Sequence, residues 1–232
     1  MRAVRIHAKQ DMRTEQVPSP EPDAGEVRLR VDYVGICGSD LHYYADGAAG
    51  VFTIREPLIP GHEMSGVIDL DPTGAFEAGT PVTVHPATWG TAQPDLTDEQ
   101  RHLWPGGGYL GSASTWPHTP GGLAEQLVVR RDQVRRLPTS LPVKRAALAE
   151  PLAVGLHGMA VGGGVRDKCV LISGSGPIGL RHVGEPVPCR VGLRHSRIVT
   201  PTNLRPRGRS VREGNPPSHP ARQGPPRQCS MR

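Results

Sequence analysis

Residues 26–44 read EVRLRVDYVGICGSDLHYY and contain the clearest structural pattern in the chain. The first ten of them, 26–35, alternate polar and apolar side chains, which is the period of a β-strand with one buried face. The alternation stops at Gly35, and Cys37 follows two residues later. These residues therefore predict a half-buried strand that ends in a loop carrying a thiol.

Similar short strands are predicted on both sides of this one, at residues 1–7, 66–70, 80–85 and 127–129. Turn-forming residues separate them, as in DPTGAFEAG at 71–79. Many short strands at this spacing are typical of a small antiparallel barrel or sandwich. The sequence therefore predicts a mainly β domain over residues 1–150.

The sequence changes character after residue 142. Segments rich in Ala and Leu at 144–149 and 151–161 predict helices, and the glycines at 162–164 would end the second one. An apolar run at 168–173 predicts a buried parallel strand, and it leads directly into GSGPIG at 174–179. Residues 86–122, which are rich in Pro, Gly, Thr and Trp without any period, are expected to be irregular.

Charge divides the 232 residues into two parts. Residues 1–180 contain 16 Lys and Arg against 20 Asp and Glu, a net charge of −4. Residues 181–232 contain 11 Arg, no Lys and two Glu, a net charge of +9, so the chain's +5 comes entirely from this segment. No helical or strand period survives there, and Arg, Pro, Gly and Ser dominate, which indicates a disordered basic tail. Because the tail has no aromatic residue to stack on bases, its charge is weak evidence for a nucleic-acid partner.

The chain shows no pattern of membrane insertion or export. No window approaches the roughly 18 consecutive apolar residues of a spanning helix, and the N-terminal MRAVRIHAKQ lacks the apolar core of a secretory signal. The cysteines at 37, 169, 189 and 229 make no disulfide framework. We therefore expect a cytoplasmic protein without a membrane partner.

Cys37 and the adjacent pair His62 and Glu63 offer a thiolate, an imidazole and a carboxylate. Three protein ligands with a fourth position left open are the pattern of a catalytic zinc rather than a structural one. Taken alone, the residues also fit a plainer interpretation, in which a core cysteine follows a strand and the His-Glu pair lies at the surface.

Four segments, in this order, resemble the zinc-dependent medium-chain alcohol and polyol dehydrogenases: GICGSDLHYY at 35–44, PGHEMSG at 60–66, EPLAV at 150–154 and the glycine turn at 174–179. The resemblance covers about residues 1–180 and is strongest to the branch of L-idonate 5-dehydrogenases and sorbitol dehydrogenases. It implies a GroES-like β-barrel catalytic domain at 1–150, followed at 151–180 by a connecting helix and the first strand of a Rossmann domain. The tail would then occupy 181–232.

The resemblance implies one catalytic zinc. Cys37, His62 and Glu63 match zinc ligands of the sorbitol branch, and Glu150 matches a carboxylate that reaches the metal through water or by ligand exchange. Glu150 is therefore expected to be both a catalytic residue and a possible ligand. A zinc ion at this place would act as a Lewis acid on the alcohol of the substrate.

Three further residues acquire roles from the resemblance. Ser39 and His42 match the hydroxyl and the imidazole of a proton relay, and imidazole titrates in the range that a relay needs. Tyr43 matches a residue that contacts the substrate. Without the resemblance, Ser39 fits a turn hydroxyl and His42 a surface imidazole equally well.

The glycines of GSGPIG, Gly174, Gly176 and Gly179, match the turn that binds the pyrophosphate of NAD or NADP at a helix N-terminus. This pattern requires a helix directly afterwards and an acidic residue about 20 positions on. The sequence predicts no helix after the turn, and HSRIVTPTN at 195–203 contains no carboxylate. Binding of the nicotinamide cofactor is therefore doubtful on sequence grounds.

A second zinc site, present in many relatives as a lobe of four cysteines, has no counterpart in the sequence. No cysteine occurs between His85 and Val128, so we expect no structural zinc in that segment. Trp89, Trp104 and Trp116 are candidates to pack the lobe instead.

The abrupt change after Leu180 suggests a truncated or frame-shifted relative of the family. The expected function is oxidation of a secondary alcohol of a polyol or sugar acid, with negligible turnover by this chain. A non-catalytic zinc-binding remnant or pseudoenzyme is the alternative, and a nucleic-acid binder acting through the tail is a further one. Homo-oligomers are typical of the family, but the Rossmann domain forms them, so loss of that domain argues against one here.

Overall fold

A computed structural model describes residues 1–165, 171–173, 176–181 and 192–194. The strands, β1 to β13 in chain order, are Arg2–Ala8, Asp11–Gln16, Glu26–Gly35, Ala48–Ala49, Phe52–Thr53, Glu63–Leu70, Pro81–Val84, Ala87–Thr88, Gly108–Tyr109, Gln126–Arg130, Val134–Arg136, Leu171–Ser173 and Gly192–Arg194. The α-helices, α1 to α4, are Gly38–Asp46, Val143–Ala146, Ala149–Val161 and Pro177–Arg181. Two 3₁₀ helices span Asp98–Leu103 and Arg131–Gln133.

The largest sheet has five antiparallel strands in the order β10-β3-β6-β7-β11. β3 pairs with β6 from Arg28 to Gly35, and the register of this pair shifts twice. Such bulges bend a strand and increase its twist, so they help to curl the sheet. The register of β3 and β6 ends at the pair Gly35 and Glu63, which fixes the place where the site is built.

The core lies on one face of the curled sheet. On β3 the residues Val27 and Leu29 are buried and alternate with the more accessible Arg28 and Arg30, as the sequence period predicts. The buried residues of this cluster are Val27, Leu29, Met64, Ile68, Val82, Val84, Leu110, Leu127, Val129 and Val134. A second cluster of Ile6, Tyr43, Leu58 and Ala113 packs beneath α1 and joins the cysteine-bearing segment to the hairpin of β1 and β2.

Most of the predicted elements are present. β3 has the bounds that its alternation predicts, and the two helices expected after residue 142 appear as α2 and α3. The segment 86–122 contains only two-residue strands and one 3₁₀ helix, close to the irregular structure expected there.

Two expectations for the region after residue 174 were wrong. A short helix, α4, begins within the glycine turn although no helix was expected there, and β13 forms a parallel pair with β12 although no strand was expected beyond 181. Three residues can form a strand by pairing with a neighbouring strand, even when their own sequence has no period. This explains why the sequence did not predict β13.

All described residues belong to one compact unit, Met1–Ser196. The second unit, Arg197–Arg232, lies outside the described residues, so the expected disorder of the tail stays a prediction. Within the described part of the chain, no helix has the length and apolar character needed to cross a membrane.

Candidate metal centre

The end of β3 and the start of β6 bring the thiol and the His-Glu pair together. Cys37 precedes the first residue of α1 in an extended conformation, two residues after β3 ends. His62 lies immediately before β6, and Glu63 is the first residue of that strand. Because Gly35 and Glu63 are register partners, residues 25 or more positions apart in sequence meet at one corner of the sheet.

The three potential ligand atoms form a compact cluster. The thiol of Cys37, a ring nitrogen of His62 and a carboxylate oxygen of Glu63 all lie within 4.8 Å of one another. Tetrahedral ligands at 2.0–2.3 Å from zinc stand about 3.5 Å apart, so a small contraction would suit the ion. His62 and Glu63 are only 7% and 9% exposed. A partly buried thiolate with a buried imidazole and a buried carboxylate is a donor set that zinc accepts.

The absence of a side chain at Gly35 leaves the space that the Glu63 carboxylate occupies in this cluster. A Cβ added at Gly35 would overlap carboxylate oxygen Oε2 of Glu63. Any larger residue at position 35 would therefore displace the third potential ligand, which is a reason for a glycine in the GICGSD run.

Asp40 ties the two ligand-bearing loops together. It is 3% exposed, and its two carboxylate oxygens accept different backbone N–H groups: Oδ2 that of Cys37 at 2.9 Å, and Oδ1 that of Gly61 at 3.0 Å. Gly61 has φ of 94°, a conformation that favours glycine, and a Cβ there would strike Val34. One buried carboxylate thus fixes the backbone beside both Cys37 and His62.

The site favours the ionised thiol. A hydrogen bond with His62 is the main cause that lowers the pKa of Cys37, with further bonds from the backbone and hydroxyl of Ser39, against the opposing effect of burial. Burial alone would lower the pKa of His62, but the hydrogen bond with Cys37 and the charges of Asp40 and Glu150 outweigh it and raise that pKa. A thiolate is the ligand form, while the imidazole would release its proton when a metal binds.

Glu150 reaches the site from the first turn of α3 and is held there by Tyr109. The Tyr109 hydroxyl donates to Glu150 Oε1 at 2.6 Å, and its ring stands edge-on to the His62 ring with centroids 5.3 Å apart. Burial, followed by the hydrogen bond to Glu150, raises the pKa of Tyr109 far above its ordinary value. Tyr109 therefore remains a hydrogen-bond donor, and it directs one oxygen of Glu150 toward itself.

A cavity of about 700 Å³ opens beside this cluster. Among its lining residues are Ser39, Tyr43, His62, Glu150, Trp89, Arg101, Trp104 and Tyr109. The size lies within the 300–1,000 Å³ range of small-molecule sites. Chemically, the arrangement can hold a divalent metal at one end of a cavity that has polar and aromatic walls.

Four of the predicted site residues, Ser39, Tyr43, His62 and Glu150, line this cavity. Ser39 and Tyr43 line it, and the Tyr43 hydroxyl accepts the backbone N–H of Ala113 at 3.0 Å. His42 is not among the lining residues: its side chain is 68% exposed and pairs with Asp46 at 3.2 Å. Of the glycine turn, Gly176 and Gly179 are described, whereas Gly174 lies outside the described residues.

Three residues of the site were not identified from the sequence. Asp40 carried a usable signal, since an aspartate three residues after a helix N-cap often accepts a backbone N–H. Tyr109 and Arg101 carried none, because both come from the segment without a period. Only the fold shows that they face the cavity.

A protein-family model described as the alcohol dehydrogenase GroES-like domain matches residues 23–139. A sorbitol dehydrogenase from Gallus gallus is 36% identical over 213 residues, covering 87% of this chain and 58% of its own length. The crystal structure of galactitol-1-phosphate dehydrogenase from Escherichia coli superposes with a TM-score of 0.70 at 31% identity, over 79% of this chain and 51% of that one. L-idonate 5-dehydrogenase from Escherichia coli superposes with a TM-score of 0.69 at 29% identity, over 78% of this chain and 52% of that one. The chain thus spans between about half and three fifths of the length of these relatives.

Proposed function

Because the chain belongs to the zinc-type medium-chain alcohol and polyol dehydrogenase family, we propose that its cavity binds a polyol or sugar acid for oxidation of a secondary alcohol. The family is zinc- and NAD(P)-dependent, so the hydride acceptor would be NAD or NADP. One observation carries the proposal: Cys37, His62 and Glu63 converge within 4.8 Å beside a cavity that Ser39 and Glu150 also line.

Cys37, His62 and Glu63 would hold the zinc, and the carboxylate of Glu150 would be a fourth ligand that can exchange. When bound, zinc supplies Lewis-acid chemistry that lowers the pKa of an alcohol. The thiol is already biased toward the ligand form by its hydrogen bond with His62. The protein therefore needs little rearrangement to receive the ion, which is the supporting argument for this assignment.

Ser39 and His42 would carry the alcohol proton to solvent. Ser39 lines the cavity and is the nearer acceptor. His42 lies three residues further along α1, at the surface beside Asp46, where an imidazole can exchange protons with water. The relay is thus divided between an inner hydroxyl and an outer imidazole.

Tyr43 would contact the substrate from a fixed position. Its phenol is almost fully buried, and the backbone of Ala113 holds its oxygen at the cavity wall. L-Idonate or a related hexonate is the substrate that we favour, because the run GICGSDLHYY at 35–44 resembles that of the L-idonate 5-dehydrogenase branch. Sorbitol and other neutral polyols are the comparison substrates.

The hydride-transfer step depends on Gly174, Gly176 and Gly179, of which only the last two are described. The lack of a carboxylate at 195–203 removes the usual ribose partner. The expectation of negligible turnover by this chain therefore stays a prediction, separate from the proposal that the metal and the alcohol bind.

Metal analysis combined with a turnover assay tests the proposal. The full chain should retain about one zinc, and Cys37→Ala should lose it, since a thiolate ligand is removed. Two tightly held zinc ions would contradict the expected lack of a structural site. Retention of no zinc by a folded wild-type chain would refute the catalytic centre. Cofactor reduction with L-idonate and sorbitol, followed optically for NAD and NADP, then measures turnover, and robust activity that Cys37→Ala abolishes would overturn the prediction of a nearly inactive chain.

The remaining expectations about partners and location stay predictions. A reducing, cytoplasmic setting would suit Cys37, which is a free thiol. The nucleic-acid alternative rests on residues 181–232, nearly all of which lie outside the described part, and salt-dependent oligonucleotide binding would test it. Sedimentation of the purified chain would show whether a homo-oligomer forms.

A further inference from the structure

Arg101 lines the same cavity as His62 and Glu150. It lies in the 3₁₀ helix Asp98–Leu103, within the segment 86–122 for which the sequence predicts irregular structure. Its guanidinium carbon stands 5.1 Å from the ring centroid of Trp89, another wall residue. The aromatic face holds the cation in place without neutralising it.

Arg101 forms no ion pair within the part of the chain that the structure describes. No described carboxylate lies at ion-pair distance from its guanidinium. Two acids share its 3₁₀ helix, Asp98 and Glu99, but neither lines the cavity. Arg101 is also the single Lys or Arg among the described lining residues. Its positive charge is therefore available to a ligand.

The other charged groups around the cavity indicate what kind of substrate this cation would serve. A thiolate, a carboxylate and a neutral imidazole would balance the two charges of a zinc ion, and the Glu150 carboxyl group accepts a hydrogen bond from Tyr109. A neutral polyol needs no further charge. A substrate with an anionic end would need a cation away from Glu150, since burial of an unpaired charge is costly.

A second donor in the same wall has no acceptor. The indole N–H of Trp104 is buried and forms no hydrogen bond to any described residue. Such a donor costs stability unless it finds a partner. The cavity wall thus offers two donors, the Arg101 guanidinium and the Trp104 N–H, that an anionic group could satisfy.

We propose that Arg101 binds the anionic group of the substrate, so that the cavity selects polyols carrying a carboxylate or a phosphate over neutral polyols. The inference rests on the proposed function, because it places the alcohol of that substrate at the metal end. A guanidinium matches either oxyanion with two parallel hydrogen bonds, whereas an ammonium acts as a point charge. Loss of such a doubly hydrogen-bonded, charged pair weakens binding about 10- to 100-fold.

Calorimetric binding to the zinc-loaded full chain tests the inference. The ligands are L-idonate for the carboxylate, galactitol 1-phosphate for the phosphate, and L-iditol and galactitol as their neutral counterparts. Arg101→Gln should weaken the anionic ligands about 10- to 100-fold and leave the neutral ones unchanged, and Arg101→Lys should recover part of the loss. Arg145→Gln, which removes an exposed arginine on α2 outside the cavity, is the matched control and should change nothing.

The outcomes separate the inference from the function on which it rests. Preference for L-idonate or for the phosphate ester shows which oxyanion the site takes. Equal binding of anionic and neutral ligands, or an equal loss of both in Arg101→Gln, would refute the role of Arg101 while leaving polyol binding intact. Failure of every ligand to bind the zinc-loaded wild-type chain would refute the proposed function and, with it, the inference.

Discussion

Asp40→Asn tests whether one buried carboxylate holds the metal centre together. In the wild type, each carboxylate oxygen accepts a backbone N–H, from Cys37 and from Gly61. An asparagine keeps one acceptor and turns its NH₂ group toward the other N–H. The substitution therefore removes one charge-assisted hydrogen bond, weakens the second and leaves a buried donor without a partner.

The expected loss follows from these contacts. A hydrogen bond to a charged group contributes about 1.5–3 kcal/mol, and an unsatisfied buried donor costs about 1–3 kcal/mol. Since the two terms overlap, we expect the free energy of unfolding to fall by about 3 kcal/mol. For a domain of this size the midpoint of thermal unfolding should then drop by roughly 6–12 °C.

Thermal unfolding of the metal-free chain, followed by circular dichroism, measures this loss, and a zinc titration measures metal affinity. Because Asp40 fixes the backbone beside both Cys37 and His62, zinc affinity should fall together with stability. Asp46→Asn is the matched control, since Asp46 lies on the same helix, is 57% exposed and pairs only with His42 among the described residues. An Asp40→Asn chain that unfolds at the same temperature as this control would refute the bridging role. A destabilised chain with unchanged zinc affinity would refute its link to the metal centre.

Three further predictions concern single groups. Tyr109→Phe removes the hydrogen bond that holds Glu150, so Glu150 should be free to approach the metal. The coordination number of the bound metal should then rise, and the visible absorption of the cobalt-substituted chain should weaken. The exposed Tyr33→Phe is the control, and identical spectra would contradict a positioning role. Burial alone would raise the pKa of Asp71, but bonds from a guanidinium and backbone N–H groups hold that pKa well below its ordinary value. That stabilisation is present above the ordinary carboxyl pKa of about 4 and is lost as pH falls through the lowered one. Asp71→Asn should therefore destabilise the chain most at neutral pH and progressively less in acid, by urea unfolding; a pH-independent difference would contradict this. Cys37 of the metal-free chain should be alkylated at lower pH than an ordinary thiol, because its pKa is lowered, and zinc should protect it. Peptide mapping by mass spectrometry measures this rate, and the pH profile of a free cysteine would count against it.

The fold was predictable where burial imposes a period on the sequence. β3 is buried on one face only, so its alternation gave both its existence and its bounds, Glu26–Gly35. The GroES-like fold expected for the N-terminal part is confirmed by the family match to residues 23–139. β13 could not be predicted in the same way, since its three residues are ordered by their parallel pairing with β12.

The convergence of the candidate site was predictable where its residues lie in short, recognisable motifs. Cys37 and the pair His62 and Glu63 were identified from such motifs, and the register of β3 against β6 explains why they meet. The contact between Tyr109 and Glu150 joins residues 41 positions apart, one of them in a segment without periodicity. No local pattern encodes that distance, because it depends on how an irregular loop folds over the first turn of α3.

The proposed metal ligands and the cavity wall are held by different kinds of contact, and this difference limits which of them can change. Cys37, His62 and Glu63 are fixed by strand register and by a carboxylate that is 3% exposed, so a substitution near them costs folding energy as well as function. Arg101 is exposed, and its known contact is the face of Trp89. Replacing it disturbs no core packing and leaves no buried group unpaired. Position 101 can therefore change at little cost in stability, whereas a change at the proposed metal ligands disturbs the fold as well as the site.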